Sequence, residues 1–211
     1  ELEEFMSRPS ARLVDYAAGL DGDIAIVGAA GKIGVTLAMM ASRAVKAART
    51  AKKVYAVSRF SDPSARERIE KEGVTAIACD LLDQDAVAKL PKAANVLFLA
   101  GRKFGTQGAQ DLTWATNTLA PANVARRYSK SRIVAYSTGC VYDFTSAVSG
   151  GSVERDPPEA TGEYAQSTLG RERVFEYYSR AFGTKVCQFR LNYAIDLRYG
   201  VLRDIADKVY A

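Results

Sequence analysis

A short apolar run, IAIV from Ile24, enters directly on the glycine-rich segment GAAGKIG, Gly28 to Gly34, and a helical pattern leaves from its far end. The three glycines have separate reasons to be there. Gly28 permits a tight turn out of a strand. Gly31 lets a diphosphate approach the backbone with no Cβ in the way. Gly34 lets the helix pack closely on the strand. The helix start then offers free N–H groups and a partial positive charge to an anion. A glycine-rich turn without a ligand is the plainer reading. A strand before the loop, a helix after it and a second strand beyond favour a dinucleotide site, with Ala30, Lys32 and Ile33 on the same loop. The spacing is G-x-x-G-x-x-G.

Six apolar, β-rich runs are expected as strands: Ile24 to Gly28, Val54 to Ser58, Ala76 to Cys79, Val96 to Ala100, Ile133 to Ser137 and Val186 to Leu191. Runs this short and this apolar suit strands buried on both faces. Helical patterns fall between them, at Lys32 to Ala48, Ser64 to Glu72, Gln84 to Leu90, Asp111 to Tyr128, Tyr164 to Phe182 and Val201 to Tyr210. Alternation of this kind predicts an α/β fold, a doubly wound and mainly parallel sheet in the order 3-2-1-4-5-6. The expected division is a helical extension over 1–22, a dinucleotide-binding domain over 23–199, and the start of a C-terminal lobe over 200–211. The chain opens on Glu1 and ends inside a helical pattern, so part of a longer protein is expected. One long loop, Asp143 to Glu163, exceeds the usual connection and suits a lid.

Composition narrows the chemistry. The chain has 211 residues, enough for one large domain, and 29 basic against 24 acidic side chains spread along it. That pattern fits a solvated surface better than a nucleic-acid stripe. No apolar run approaches the roughly 18 residues of a membrane span. There is no histidine, which removes a Ser-His-Asp or Cys-His machine and any His-ligated zinc from this chain. Cys79, Cys140 and Cys187 form no CxxC pair and lie in or beside apolar runs, so buried thiols in a reducing compartment, the cytoplasm, are expected.

Beyond the glycines, the chain carries CDL at Cys79 to Leu81, FLAG at Phe98 to Gly101, Asn117, YSTGCVY at Tyr136 to Tyr142, YAQST at Tyr164 to Thr168, and RLNY at Arg190 to Tyr193. In order and separation these resemble the extended short-chain dehydrogenase/reductase superfamily, the NAD-dependent epimerase/dehydratase group. The resemblance implies a nicotinamide dinucleotide cofactor across the carboxyl ends of the strands and a small-molecule substrate. That substrate would be a polar, sugar-like alcohol or ketone. It also implies a homodimer through helices 111–128 and 164–182, with Leu112, Trp114, Tyr128, Leu169, Val174, Phe175, Tyr177 and Tyr178 as interface candidates.

The resemblance assigns roles by position. Asp80 and Leu81 would hold the adenine; a cap on the following helix is the plainer role for Asp80. Ser58 and Arg59 end the second strand, where an acid would favour NAD. A guanidinium suits a 2′-phosphate, so NADP is slightly favoured, with NAD open because Asp62 is near. Ala100, Gly101 and Asn117 would border the cofactor. Arg102 and Lys103 follow in a position able to face phosphates or an anionic substrate, solvated surface charge being an equal reading, and Asn192 would hydrogen-bond the substrate. Thr138 would orient the reacting oxygen and Tyr164 would move its proton.

The lysine that follows this tyrosine by four residues in the family is Thr168 here. A free phenol titrates near 10, and bringing one to neutral pH takes roughly 4 kcal/mol of differential stabilisation. Threonine supplies little of that, so Tyr164 is expected to be a poor base unless another cation serves it. Lys103 is preferred for that part over Arg171 on reach. A catalytically weakened dinucleotide-binding or sensing protein is the alternative function.

Overall fold

A computed structural model describes residues 1–193 and 196–210. Strand β1 (Ile24–Val27) is wholly buried and lies at the centre of the sheet. It pairs in parallel with β2 (Val54–Ser58) on one side and β4 (Asn95–Phe98) on the other. Beyond them lie β3 (Thr75–Ala78) on β2, and β5 (Arg132–Thr138) then β6 (Lys185–Leu191) past β4. The order is therefore 3-2-1-4-5-6, all parallel, as expected. The strand order reverses between β1 and β4, which opens a crevice at their carboxyl ends.

Helices cover both faces. Under α3 (Gly34–Ala47) and α4 (Pro63–Lys71) lie Ile24, Ile26, Val35, Ala38, Met39 and Ile69. On the opposite face α5 (Gln84–Ala88), α7 (Ala120–Arg127) and α8 (Gly162–Phe182) enclose Val96, Phe98, Val124, Ile133 and Phe175. Phe98 and Phe175 meet edge to face at 5.3 Å, a geometry the ring quadrupole favours.

Burial on both faces holds for the central strands but not for β3 or β6. These are the sheet edges, where fewer neighbours pack. Cys187 and Phe189 therefore project from β6 in the open, and Cys140 is exposed past the end of β5. Of the three cysteines expected to be buried, only Cys79 is, and burial pushes its thiol up from the ordinary value. The interface candidates also divide. Tyr128, Phe175 and Tyr178 face the sheet as core, whereas Leu112, Trp114 and Tyr177 are exposed.

The helix expected over 111–128 is interrupted. It runs as α6 (Gln110–Trp114), a π turn (Ala115–Leu119) and then α7. Pro121 has no N–H to give the carbonyl of Asn117, so the regular ladder fails there. At the amino end α1 (Leu2–Met6) and α2 (Ala11–Gly19) pack outside the sheet. Arg43 of α3 pins α1 by pairing with both Glu4 and Glu72. After β6 the chain returns over the glycine loop. Arg198 Nη2 donates to the Lys32 carbonyl at 3.4 Å, and Lys32 Nζ lies 4.8 Å from the Tyr199 ring centre. The last helix, α9 (Val201–Tyr210), buries no residue.

Candidate functional site

The glycine loop leaves β1 at Gly28, whose φ of 91° is open to few other residues. A Cβ there would come within 2.5 Å of the Ala100 amide nitrogen, so β1 and β4 can approach only through a glycine. A Cβ on Gly34 would strike the Ala29 carbonyl group, 2.7 Å from its carbon. Gly31 differs: its Cβ would only brush the Gly28 oxygen at 3.3 Å. The chain requires the first and third glycines for its own packing. The second clears space in front of the cleft.

Helix α3 begins with Ile33 at its N-cap and no side-chain cap, unlike α4 and α5, which Asp62 and Asp83 cap. Gly34 N–H donates to the Gly31 carbonyl at 3.0 Å, and the other N–H groups around this helix start are left to an outside acceptor. A cleft runs from this point between the strand ends. Gly28, Gly31, Lys32, Ile33 and Gly34 form one wall; Gly101, Lys103, Tyr136, Ser137, Tyr164 and Arg171 form the other. A cradle that Cβ atoms would fill, facing uncapped amides, fits the diphosphate of a dinucleotide.

The residues expected at the adenosine end lie on the β2 and β3 termini. Ser58 is half-buried and Arg59 exposed, with no ion-pair partner among the described residues. Asp62 is committed elsewhere: it accepts from Ser64 N at 2.9 Å and Ser64 Oγ at 2.8 Å, bonds that hold its carboxyl below the usual range. Asp80 is exposed and accepts from Leu82 N at 3.0 Å; the helix cap considered for it belongs to Asp83. Leu81 is half-buried, its carbonyl held by Asn123 at 3.0 Å. Ala30 is half-buried on the loop, and Ala100 sits against Gly28.

Two expected residues lie behind the cleft instead of facing it. Asn117 is fully buried. Its Oδ1 accepts from Arg102 N at 2.9 Å and Arg171 Nη2 at 2.7 Å, and its Nδ2 donates to Arg102 O and Ser167 Oγ. The amide is spent on clamping the loop after β4 to α8, and the π turn aims it there. Arg102 is held by its backbone, and its Nη2 donates to Gly105 O at 2.6 Å. The guanidinium is folded onto its own loop and does not line the cleft.

At the end expected to be catalytic, Tyr164 is half-buried, with Lys103 Nζ 5.6 Å from its ring centre. Thr168 is fully buried, and its Oγ1 donates to the Tyr164 carbonyl at 2.8 Å. It therefore offers the cleft nothing. Arg171, from the next turn, does reach the cleft wall, where the Gly101 backbone lies against its guanidinium. Thr138 is 4% exposed and accepts from Cys140 N at 3.2 Å, which leaves its O–H hydrogen without an acceptor among the described residues. Its neighbour Ser137 donates to Glu172. Asn192 is exposed, with its side chain over Gly139.

Glu172 was not anticipated. It is 2% exposed, and Arg190 meets it bidentately at 2.9 and 2.7 Å, while Arg190 also donates to the Tyr142 hydroxyl. This ion pair fixes the β5–β6 end on which Ser137, Thr138 and Asn192 stand. One signal existed: Ala165, Thr168, Glu172 and Phe175 form a helical stripe, and its charged member had to find a partner inside.

A doubly wound parallel sheet with a glycine loop at its switch point defines a Rossmann-type domain. The family described as "NAD dependent epimerase/dehydratase family" matches residues 24–194, and the chain belongs to that family. Solved structures agree on the fold. UDP-glucuronic acid 4-epimerase from Bacillus cereus, in complex with NAD, has a TM-score of 0.67 at 19% identity, over 89% of this chain and 64% of its own. The UDP-Glc/GlcNAc 4-epimerase of Campylobacter jejuni gives 0.67 at 21%, over 81% and 53%. The dTDP-glucose 4,6-dehydratase of Bacillus anthracis gives 0.67 at 15%, over 81% and 54%. The chain thus spans between about half and two thirds of these structures. A search among curated proteins found no match.

Proposed function

We propose that the chain is the dinucleotide-binding part of an epimerase- or dehydratase-like oxidoreductase acting on a polar, sugar-nucleotide-like alcohol or ketone. The cleft carries this reading. Its glycine cradle and uncapped α3 start stand at one end and Tyr164 with Ser137 at the other, Thr138 following Ser137 at the buried end of β5. The similarity to sugar-nucleotide epimerases and a dehydratase supports it. Residues 200–211 would open a substrate lobe. The exposed Leu112, Trp114 and Tyr177 would serve a homodimer.

The Gly28–Gly34 loop would hold the diphosphate, and the β2 and β3 ends the adenosine. The nicotinamide, when bound, supplies hydride transfer. Tyr164 would give or take the proton at the substrate oxygen. The unspent O–H of Thr138 would donate to that oxygen, since Ser137 is committed to Glu172. Lys103 would place positive charge beside the phenol. Tyr164→Phe is expected to lower turnover on UDP- and dTDP-sugars at least a hundredfold, within the usual range for losing a general acid or base. Dinucleotide affinity should change less than about threefold. Equal turnover by both forms would remove Tyr164 from the chemistry.

Arg59 supports NADP over NAD. A charge-assisted pair with a 2′-phosphate is worth about 1.5–3 kcal/mol. Calorimetry should therefore give NADP an advantage of about tenfold or more, and Arg59→Ala should bring the two to parity. Tighter binding of NAD by the unaltered protein would refute the preference. Thr168, turned onto its own helix, favours a second reading, a dinucleotide-binding protein with little catalysis. Tight dinucleotide binding with no turnover on any sugar nucleotide would select it.

A further inference from the structure

Arg171 is 5% exposed, and burial pulls its guanidinium down to about 10, so it remains charged at neutral pH. Its partners are neutral oxygens: Nη1 donates to the Tyr136 carbonyl at 2.8 Å and Nη2 to Asn117 Oδ1 at 2.7 Å. The adjacent Glu172 is taken by Arg190. A guanidinium has five donors, and Nε has no partner among the described residues. A buried cation whose neighbouring carboxylate is bonded to another arginine is costly unless something else satisfies it. This one lines the cleft.

Its position names the ligand group. The glycine loop and α3 fix the diphosphate at one wall, and Arg171 stands past Gly101 on the other, beside Tyr164. The unit that follows the diphosphate in a dinucleotide is a ribose with two neighbouring hydroxyls. Those oxygens can accept from a guanidinium held rigid by its other bonds. We propose that Arg171 binds the ribose on the nicotinamide side of the dinucleotide, supplying from the second turn of the stripe a cation that Thr168 does not supply from the first. The inference rests on the dinucleotide reading above.

The test uses NAD, ADP-ribose and ADP, which share the adenosine diphosphate and differ by the ribose and then the nicotinamide. Calorimetry on Arg171→Met should show NAD and ADP-ribose weakened about ten- to hundredfold, the range for losing a charged hydrogen bond. ADP should stay within about twofold. Arg171→Lys keeps the charge and loses the fork; it should show the same pattern at smaller size, and it serves if the methionine variant does not fold. Equal weakening of all three ligands would mean that Arg171 only props the cleft, and no weakening would mean that it touches nothing. Either result overturns the proposal, as does a loss confined to NAD. Failure of the unaltered protein to bind any of the three would instead defeat the dinucleotide reading itself.

Discussion

Gly28→Ala is expected to destabilise the domain by on the order of 3 kcal/mol and to abolish dinucleotide binding in whatever fraction stays folded. Two independent penalties act at the site. The backbone sits at φ 91°, which an L side chain rarely adopts, and the new methyl would lie 2.5 Å from the Ala100 amide nitrogen. Relief requires β1 and β4 to separate at the crevice they form. For a domain of this size, that cost should lower the melting temperature by about 6–12 °C. Gly31→Ala provides the contrast. Its methyl meets only the Gly28 oxygen at 3.3 Å, so melting should move little while dinucleotide affinity falls. Calorimetry and thermal melts on both variants check the pair. Similar melting losses in the two would show that the loop is only a turn.

The second large effect is expected at Glu172, at the opposite end of the cleft. Its side chain is 3% exposed and that of Arg190 19%. Such a pair adds little net stability while intact, but removing one member strands the other charge. Glu172→Ala should cost about 3–5 kcal/mol by denaturant unfolding, whereas Glu172→Leu with Arg190→Met should cost far less. A smaller loss in the single variant than in the double would contradict the buried-pair account. Raising the pH is not expected to mimic the mutation. Glu172 raises the pKa of Arg190 above its already high unfolded value. A group raised on folding contributes stability that is complete below its unfolded pKa and lost only as pH climbs through the folded one. For this arginine that lies beyond any ordinary working range.

Because Ser137 donates to Glu172, the same variant should also disturb the strand end that carries Thr138. Stability and turnover are thus linked at this end of the cleft, whereas at the glycine loop Gly31 can be altered for binding alone.

The sheet was legible because its signal is local and repeated. Each expected strand falls within two residues of the observed one, and alternation with helices left few topologies. Asp62, weighed from sequence only as an acid near Arg59, proves to be the cap of α4. What sequence periodicity missed depends on long side chains and on where the ladder breaks. Asn117 faces Arg102 and Arg171 because Pro121 forces a π turn about a third of the way along an otherwise regular pattern. Arg171 reaches the cleft because a guanidinium on six Å of side chain is not confined to the face its Cα marks. The exposure of Cys187 follows from β6 being an edge, a property of the assembled sheet and not of the run VCQFRL.

A crystal structure of the chain grown with NADP, and in parallel with NAD, tests the central claim most directly. The account predicts a diphosphate against the amides of Lys32 and Ile33 and the start of α3, the adenosine over the ends of β2 and β3, and the second ribose between Tyr164 and Arg171. A cleft that stays empty with both dinucleotides in excess, or a nucleotide bound elsewhere on the molecule, would contradict it.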